Sequence, residues 1–219
     1  EVRFDYSYDG IMRAYEQLLQ RLALDTVDAL VIHDLDVAYH GAEVQAAHEK
    51  ALASSGIRAL EELKATGHIR AYGMGINTNQ ALEEVATRVP LDFCLVALPY
   101  TLLDQESLTR GMQTCVDRGV SVIIGAPFAS GILVTGSSGP AHYAYGKAPP
   151  EVQARVRGME AVCAAHMVEL PAAALQFVLA GSVAWLGGSA VLVACAMVVS
   201  RCVYLALSWR ATHRLLPDL

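Results

Sequence analysis

The sequence predicts an α/β fold in which parallel strands alternate with helices. Four apolar runs have the length of a strand, and a helix is predicted after each of them. Strands that are apolar along their whole length are typical of parallel sheets, because helices cover both faces of such sheets. At 219 residues, the chain is long enough to form one domain with a substantial core.

Apolar spacing and helix-ending residues place each element in order. Asp9 is a candidate N-cap of the first helix, Gly67 and Gly119 end two later helices, and Pro99 ends the third strand. The predicted order is helix Asp9–Leu22, strand Val27–His33, a helix from about His48 to Thr66, strand Ile69–Met74, a helix capped by Thr78 or Asn79, strand Phe93–Leu98, a helix from about Ser107 to Arg118, strand Val120–Ile124, a loop over Gly125–Pro150, helix Glu151–His166 and helix Pro171–Ala180.

Such units fit either an open doubly wound sheet or a closed (β/α)8 barrel. No GxGxxG motif follows any strand, which disfavours a Rossmann dinucleotide fold. A complete barrel needs about 250 residues and eight strands, and this body supplies about half of that. The sequence therefore predicts a partial (β/α)8 TIM barrel, containing about strands 4 to 7 with their helices. Its edge strands would be unpaired, which favours self-association.

Composition excludes several classes of function. The net charge is −6 and the basic residues are scattered, so we expect no nucleic-acid partner. The five cysteines form no CxxC pair, which predicts buried thiols in a reducing compartment and no metal site. The first residues are polar and acidic, unlike a signal peptide. The missing initiator Met suggests that the chain starts inside a longer gene product.

The strongest functional signal lies in segments that follow the predicted strands. In chain order they are FDYSYDGIMRAYEQLLQRLALDTVDALVIHDLD, IRAYGMGIN, LPYTLLDQ, VIIGAPFASGIL, YAYGKAPPEVQARVRGMEAVCAAH and PAAALQFVLA. Together they span nearly all of residues 3 to 180, and the chain resembles the aldo/keto reductase superfamily there. The resemblance is to its D-threo-aldose (L-fucose or galactose-type) 1-dehydrogenase branch.

The resemblance implies an oxidoreductase that uses NAD or NADP and acts on a sugar or an aldehyde. Hydride passes between the nicotinamide and the carbonyl carbon, and an Asp, Tyr, Lys and His tetrad handles the proton. His33 matches the family histidine, which orients and polarises the substrate oxygen. The Asp, Tyr and Lys would lie upstream of Glu1, so this portion alone is expected to be inactive.

The resemblance also implies binding residues. Asn77 matches the residue that hydrogen-bonds the nicotinamide carboxamide, although the sequence reads GIN where many members have Ser before Asn. Gly125 stands where many members carry a stacking Tyr, so Phe128 is the candidate for stacking. The expected cofactor-binding set is Asn77, Gly125, Pro127, Phe128, Ser130 and Gly131, and the expected substrate-binding set is Tyr100 and Tyr143.

The resemblance stops at Ala180, which predicts a barrel portion over residues 1–180 and a divergent tail over 181–219. Residues 170–200 contain no Asp, Glu, Lys or Arg, and the apolar run is long enough to form a transmembrane helix over about 183–207. One account is an abnormal end, such as a frameshift, on a cytoplasmic enzyme. The other is a membrane-anchored, non-catalytic binding module derived from the barrel. We favour the first, because an anchor would more plausibly follow a complete barrel.

Overall fold

The computed structural model describes residues 3–33 and 35–185, and the chain divides into two compact units. The first unit comprises residues 1–97 and 106–123. The second comprises residues 98–105 and 124–219. The predicted alternation of strands and helices is confirmed in both order and type within the described ranges.

A four-stranded sheet organises the first unit. Its strands are β1 (Ala29–Ile32), β2 (Ala71–Ile76), β3 (Phe93–Val96) and β4 (Ser121–Ile124), in the spatial order β1-β2-β3-β4. β1 pairs in parallel with β2, and β2 pairs in parallel with β3. Sequential order with helical crossovers is the arrangement of neighbouring strands in a (β/α)8 barrel. Within the described ranges, β1 and β4 are the two edges of this sheet.

The helices of the first unit are α1 (Tyr8–Leu22), α2 (Val37–His40), α3 (Ala42–Ala51), α4 (Ile57–Ala65), α5 (Asn79–Arg88) and α6 (Gly111–Asp117). A 3-10 turn over Glu106–Thr109 precedes α6. Both α4 and α5 contact β2, which places them on the covered face of the sheet. Of the two predicted caps for α5, Thr78 is the one used, because its hydroxyl accepts from the Ala81 amide at 3.2 Å.

The predicted N-cap of α1 is wrong by two residues. Ser7 occupies the cap position with extended backbone, and its hydroxyl accepts from the Gly10 amide at 3.2 Å. Asp9 lies inside the first turn, where its negative charge is favourable near the helix N-terminus. Asp5 accepts hydrogen bonds from both the hydroxyl and the amide of Ser7, and these bonds lower the pKa of its carboxyl.

The long helix predicted from His48 to Thr66 begins earlier and is interrupted. A π turn over Leu52–Gly56 separates α3 from α4. Of the apolar residues at helical spacing in this region, Leu52, Leu60 and Leu63 are buried and Ile57 is half-buried. A π turn adds a residue to one helical turn without changing the apolar periodicity much, and such turns occur often at functional sites. This explains why spacing alone predicted one continuous helix.

The two faces of β2 have different environments. Tyr72, Met74 and Ile76 are buried on the face covered by helices. Side chains alternate along a strand, so Gly73 and Gly75 lie on the opposite face. A Cβ at Gly73 would collide with the ring of Phe93, so this glycine provides room for an aromatic side chain on β3.

The second unit is built mainly from helices. It contains α7 (Ile132–Thr135), α8 (Pro150–Ala165) and α9 (Leu170–Trp185), and α9 contacts both other helices. Its buried core consists of Leu103, Ala129, Ile132, Leu133, Ala141, Ala148, Val152, Val156, Leu170 and Ala174. The core therefore joins all three helices to the segment after β3.

The segment predicted as a loop, Gly125–Pro150, contains short regular elements. A 3-10 turn over Ala129–Gly131 leads into α7, and an antiparallel hairpin follows, formed by β5 (His142–Tyr143) and β6 (Gly146–Lys147). Glu160 on α8 holds this segment, since its carboxylate accepts from the Ser137 amide at 3.0 Å and hydroxyl at 2.6 Å. Elements this short carry no periodic sequence signal.

The predicted boundary between residues 180 and 181 falls inside α9. Residues 186–219 lie outside the described ranges, and with them most of the transmembrane segment predicted over 183–207. Among the described residues, no single helix is both long and apolar enough to cross a bilayer. The pair Pro150–Ala165 and Leu170–Gly181 passes that test only together, with a bend of 96° between them.

Candidate active site

His33 directly follows β1 at the carboxyl end of the strand. The pairing of Ile32 with Met74 is the last one between β1 and β2, so His33 comes level with Gly75. A Cβ on Gly75 would lie 3.1 Å from Cδ2 and 3.5 Å from Nε2 of His33, which places the imidazole over this glycine. The His33 carbonyl accepts a hydrogen bond from the Tyr6 hydroxyl at 2.8 Å. In barrel folds, the carboxyl ends of the strands carry the chemistry.

Asn77 follows the neighbouring strand at the same edge of the sheet. It is the first residue after β2, and it is partly buried. The nicotinamide carboxamide needs a partner that both donates and accepts, and an Asn side chain offers both groups. Asn79 has a different role, because it is buried and its side-chain oxygen accepts from the Gly111 amide at 3.2 Å. Asn77 and His33 thus stand at the ends of paired strands.

The segment Gly125–Gly131 belongs to the second unit and has an unusual backbone. Ala126, Ala129, Ser130 and Gly131 all have positive φ angles, from 47° to 96°. The Ala129 amide donates to the Ala126 carbonyl at 2.9 Å, and the Gly131 amide donates to the Phe128 carbonyl at 3.0 Å. Successive free amides can bind a phosphate group, but these two amides are used inside the segment. The exposed Ser130 hydroxyl accepts from the Ala144 amide at 3.1 Å and can still donate to an anion.

The three aromatic residues predicted to line the site pack within the second unit. Phe128 and Tyr143 are partly buried against its core. Tyr100 is only 3% exposed, and its ring lies 5.5 Å from that of Phe177. This burial raises the pKa of the Tyr100 hydroxyl. Within that unit these side chains have packing roles, and Tyr145 at the turn of the β5–β6 hairpin is 86% exposed.

An Asp, a Lys and a Tyr do meet in the first unit, but at the opposite end of the strands. Lys64 Nζ lies 2.5 Å from Asp92 Oδ1 and 5.6 Å from the ring centre of Tyr72. Asp92 directly precedes β3. Burial and the hydrogen bond to Glu61 raise the pKa of Tyr72 well above its usual value. A tyrosine that acts as a general acid needs a pKa near the working pH, so the raised pKa of Tyr72 does not suit it to the role of the family acid.

A cavity of about 480 Å³ also lies in the first unit, on the helix-covered face of β2. Leu52, Met74 and Val85 line it, with Glu49 and Arg88 at its polar side. Met74 points away from the face that carries Gly75 and the His33 ring. The sheet therefore separates this cavity from His33. No group of three or more potential metal ligands occurs among residues 3–33 and 35–185.

Sequence reasoning missed two residues at this site, Tyr6 and Gly75. The signal for Gly75 was present, because alternating glycines in the strand segment AYGMGI mark a close approach on one face. Tyr6 had only a weak signal, as one of two aromatic residues that precede α1.

Comparisons with known proteins agree with this architecture. The model of the aldo/keto reductase family matches residues 1–201. The chain is 38% identical over 175 residues to pyridoxal 4-dehydrogenase of Microbacterium luteolum, covering 80% of this chain and 51% of that protein. It is 32% identical over 176 residues to D-threo-aldose 1-dehydrogenase of a Pseudomonas species, covering 80% and 50%.

Among solved structures, glycerol dehydrogenase of Gluconobacter oxydans superposes with a TM-score of 0.55 at 18% identity. The match covers 81% of this chain and 54% of that chain, and it supports the partial barrel fold. The chain belongs to the aldo/keto reductase family, whose members generally use NAD or NADP. It spans about half the length of the curated relatives it matches.

Proposed function

We propose that this chain forms the histidine-bearing and nicotinamide-binding half of an NAD(P)-dependent oxidoreductase. The enzyme would oxidise an aldose at C1 or reduce an aldehyde. The observation that carries the proposal is the placement of His33 and Asn77 after paired strands, at the same edge of the sheet. Relatives named as aldose and pyridoxal dehydrogenases support this reaction class.

Each residue has a distinct task in the proposed reaction. A bound nicotinamide cofactor would accept or donate the hydride. Asn77 donates to and accepts from the carboxamide, which sets the orientation of the ring. The His33 imidazole hydrogen-bonds the substrate oxygen and polarises the carbonyl. From the resemblance, Gly125, Pro127, Phe128, Ser130 and Gly131 of the second unit are assigned to cofactor binding, and the Ser130 hydroxyl can donate to a phosphate.

Substrate binding is assigned to Tyr100 and Tyr143 from the resemblance; Tyr143 is half-buried and Tyr100 is buried. From the resemblance we also propose that this portion alone does not turn substrate over, because the family Asp, Tyr and Lys have no match among the segments that carry the resemblance. We also propose a reducing, cytoplasmic location. Three free cysteines in the described ranges, Cys94, Cys115 and Cys163, support it.

Cofactor titration tests this proposal directly. NADH and NADPH are added to the full chain while cofactor fluorescence is recorded, which also distinguishes the two cofactors. The variant Asn77→Ala should weaken binding about tenfold, the effect of losing about 1.4 kcal/mol of hydrogen bonding. The matched control Gln80→Ala removes an exposed amide that hydrogen-bonds Glu84 nearby. Absence of binding by either cofactor to the folded chain would overturn the proposal.

A second experiment addresses the missing acid. Sequencing the gene upstream of codon 1 shows whether it encodes the Asp, Tyr and Lys of the family tetrad. If it does, the longer product should oxidise aldoses, and His33→Ala should reduce kcat more than it changes KM. Equal turnover by the longer product and its His33→Ala variant would contradict the role given to this histidine.

We propose in addition that copies of the chain associate through the sheet edges. β1 and β4 are edge strands within the described ranges, and they expose Val31 and Ile123. Unpaired apolar edges are templates for pairing with another strand. Light scattering on the eluting full chain measures this association, and a monodisperse monomer at all concentrations would contradict it.

A further inference from the structure

We infer that Tyr6 and Gly75 are positioning residues that fix the imidazole of His33. The inference deepens the proposed function, since it rests on the role given there to His33. Tyr6 acts on the backbone of the histidine, and Gly75 acts on its ring. Neither residue has to touch substrate or cofactor.

The Tyr6 hydroxyl holds the main chain where β1 ends. It donates to the His33 carbonyl at 2.8 Å, and the side chain that carries it is 8% exposed. The last β1–β2 pair joins Ile32 to Met74, so His33 lies one residue beyond the paired strand. A hydrogen bond from a buried side chain at this point fixes the His33 carbonyl and so restrains the main chain that carries the imidazole.

Tyr6 is itself held by the π turn. A Cβ on Gly56 would collide with the Tyr6 carbonyl oxygen, so only glycine allows the two main chains to approach this closely. Two residues later, the Tyr8 amide donates to the Ser55 hydroxyl at 3.2 Å. The Tyr6 ring also packs edge-on against His48, with ring centres 4.9 Å apart. The π turn, which spacing did not predict, therefore sets the position of the hydroxyl that holds His33.

Gly75 determines where the ring lies. Its hypothetical Cβ would be 3.1 Å from His33 Cδ2, which is closer than ordinary van der Waals contact. The same Cβ would be 3.7 Å from Val31, which can tolerate it. A side chain at position 75 would therefore displace the imidazole by a few tenths of an ångström and change the direction in which Nε2 points.

The test observes His33 itself, independently of turnover. Histidine side-chain resonances of the isotopically labelled full chain are recorded by NMR, and the His33→Gln variant assigns the His33 signals. Tyr6→Phe removes only the hydroxyl and should shift and broaden these signals. Its matched control is Tyr15→Phe, which removes another buried tyrosine hydroxyl that donates to a histidine carbonyl, that of His68 at 3.4 Å.

The second variant, Gly75→Ala, should shift the His33 ring signals without affecting the other histidines. Its control is Gly158→Ala, where an added Cβ meets nothing within 4 Å. The inference is overturned if the His33 signals are unchanged in both variants while circular dichroism shows the fold intact. It is also overturned if Tyr15→Phe shifts them as much as Tyr6→Phe does.

Failure of the proposed function and failure of the positioning role give different results. If the chain binds neither NADH nor NADPH, the proposed function fails, yet the His33 signals still report whether Tyr6 and Gly75 position the ring. If cofactor binds and the signals do not move, the positioning role alone is rejected.

Discussion

Replacing Asp92 by alanine should destabilise the first unit more than any change at an exposed ion pair. The Asp92 carboxylate has two partners, since Oδ2 accepts from the Tyr72 amide at 2.9 Å and Oδ1 lies 2.5 Å from Lys64 Nζ. Asp92, which directly precedes β3, is therefore linked to the start of β2 through Tyr72 and to the end of α4 through Lys64. The alanine variant removes all of these connections at once.

The magnitude follows from the two contacts. A hydrogen bond to a charged group contributes about 1.5–3 kcal/mol, and the Tyr72 amide loses such a partner. The Lys64 ion pair adds less than about 1 kcal/mol, because the two side chains are 33% and 37% exposed and solvent screens them. We expect Asp92→Ala to lower the free energy of unfolding by about 2–3 kcal/mol. Asp92→Asn keeps an acceptor for the amide and should cost about 1 kcal/mol.

The effect should depend on pH in one direction. Burial alone would raise the pKa of Asp92, but the hydrogen bonds from Lys64 and from the Tyr72 amide hold it below its usual value of 3.8. A carboxyl with a lowered folded-state pKa stabilises the fold above its unfolded pKa, and loses that contribution as the pH falls through the folded value. The difference in the free energy of unfolding between the wild-type chain and Asp92→Ala should thus be constant above about pH 5 and shrink below pH 3.8.

Urea unfolding of the full chain, followed by circular dichroism, measures these differences. The control is Asp28→Ala, which breaks the ion pair of Asp28 with Arg70, whose side chains are 81% and 86% exposed. That variant should change the free energy of unfolding by less than about 0.5 kcal/mol. Equal effects of the two alanine variants at pH 7 would refute the reasoning, as would a difference that grows on acidification.

Three other outcomes are expected. Asn79→Ala should lower the free energy of unfolding by about 1–3 kcal/mol in the same urea experiment, because it leaves the buried Gly111 amide without its acceptor. An unchanged free energy would show that the amide finds another partner. Ile123→Lys should reduce self-association in light scattering, because a charge on the β4 edge disfavours strand pairing, and unchanged association would place the contact elsewhere. An alkylating reagent should modify Cys163 before Cys94, as followed by mass spectrometry. Cys94 is fully buried, and its hydrogen bond with a neighbouring thiol raises its pKa. Modification of Cys94 first would contradict this expectation.

The order of strands and helices was predictable because apolar periodicity reports burial on a sheet or a helix face. It located His33 at a strand end, but it ended the second strand at Met74, two residues before the observed end at Ile76, so Asn77 was identified from the family resemblance alone. Element ends were less predictable. Asp9 and Ser7 are both good capping residues, and only the backbone conformation shows that Ser7 is used.

Features that depend on contacts far along the chain could not be predicted. The π turn over Leu52–Gly56 exists where Gly56 meets the Tyr6 carbonyl, a contact across about fifty residues that no local pattern contains. The segment after β4 resembled a phosphate-binding loop by its glycines. Its amides at Ala129 and Gly131 are nevertheless used internally, which depends on φ angles that the sequence does not state.

The Tyr72–Lys64–Asp92 cluster sits at the amino ends of the strands, whereas His33 and Asn77 sit at the carboxyl ends. In the proposed function, the residues that anchor the strands and the residues that carry the chemistry therefore lie at opposite ends of the same strands. The loops at the carboxyl ends of the strands can then change during evolution, and with them the substrate accepted, while the cluster at the amino ends keeps the strands aligned.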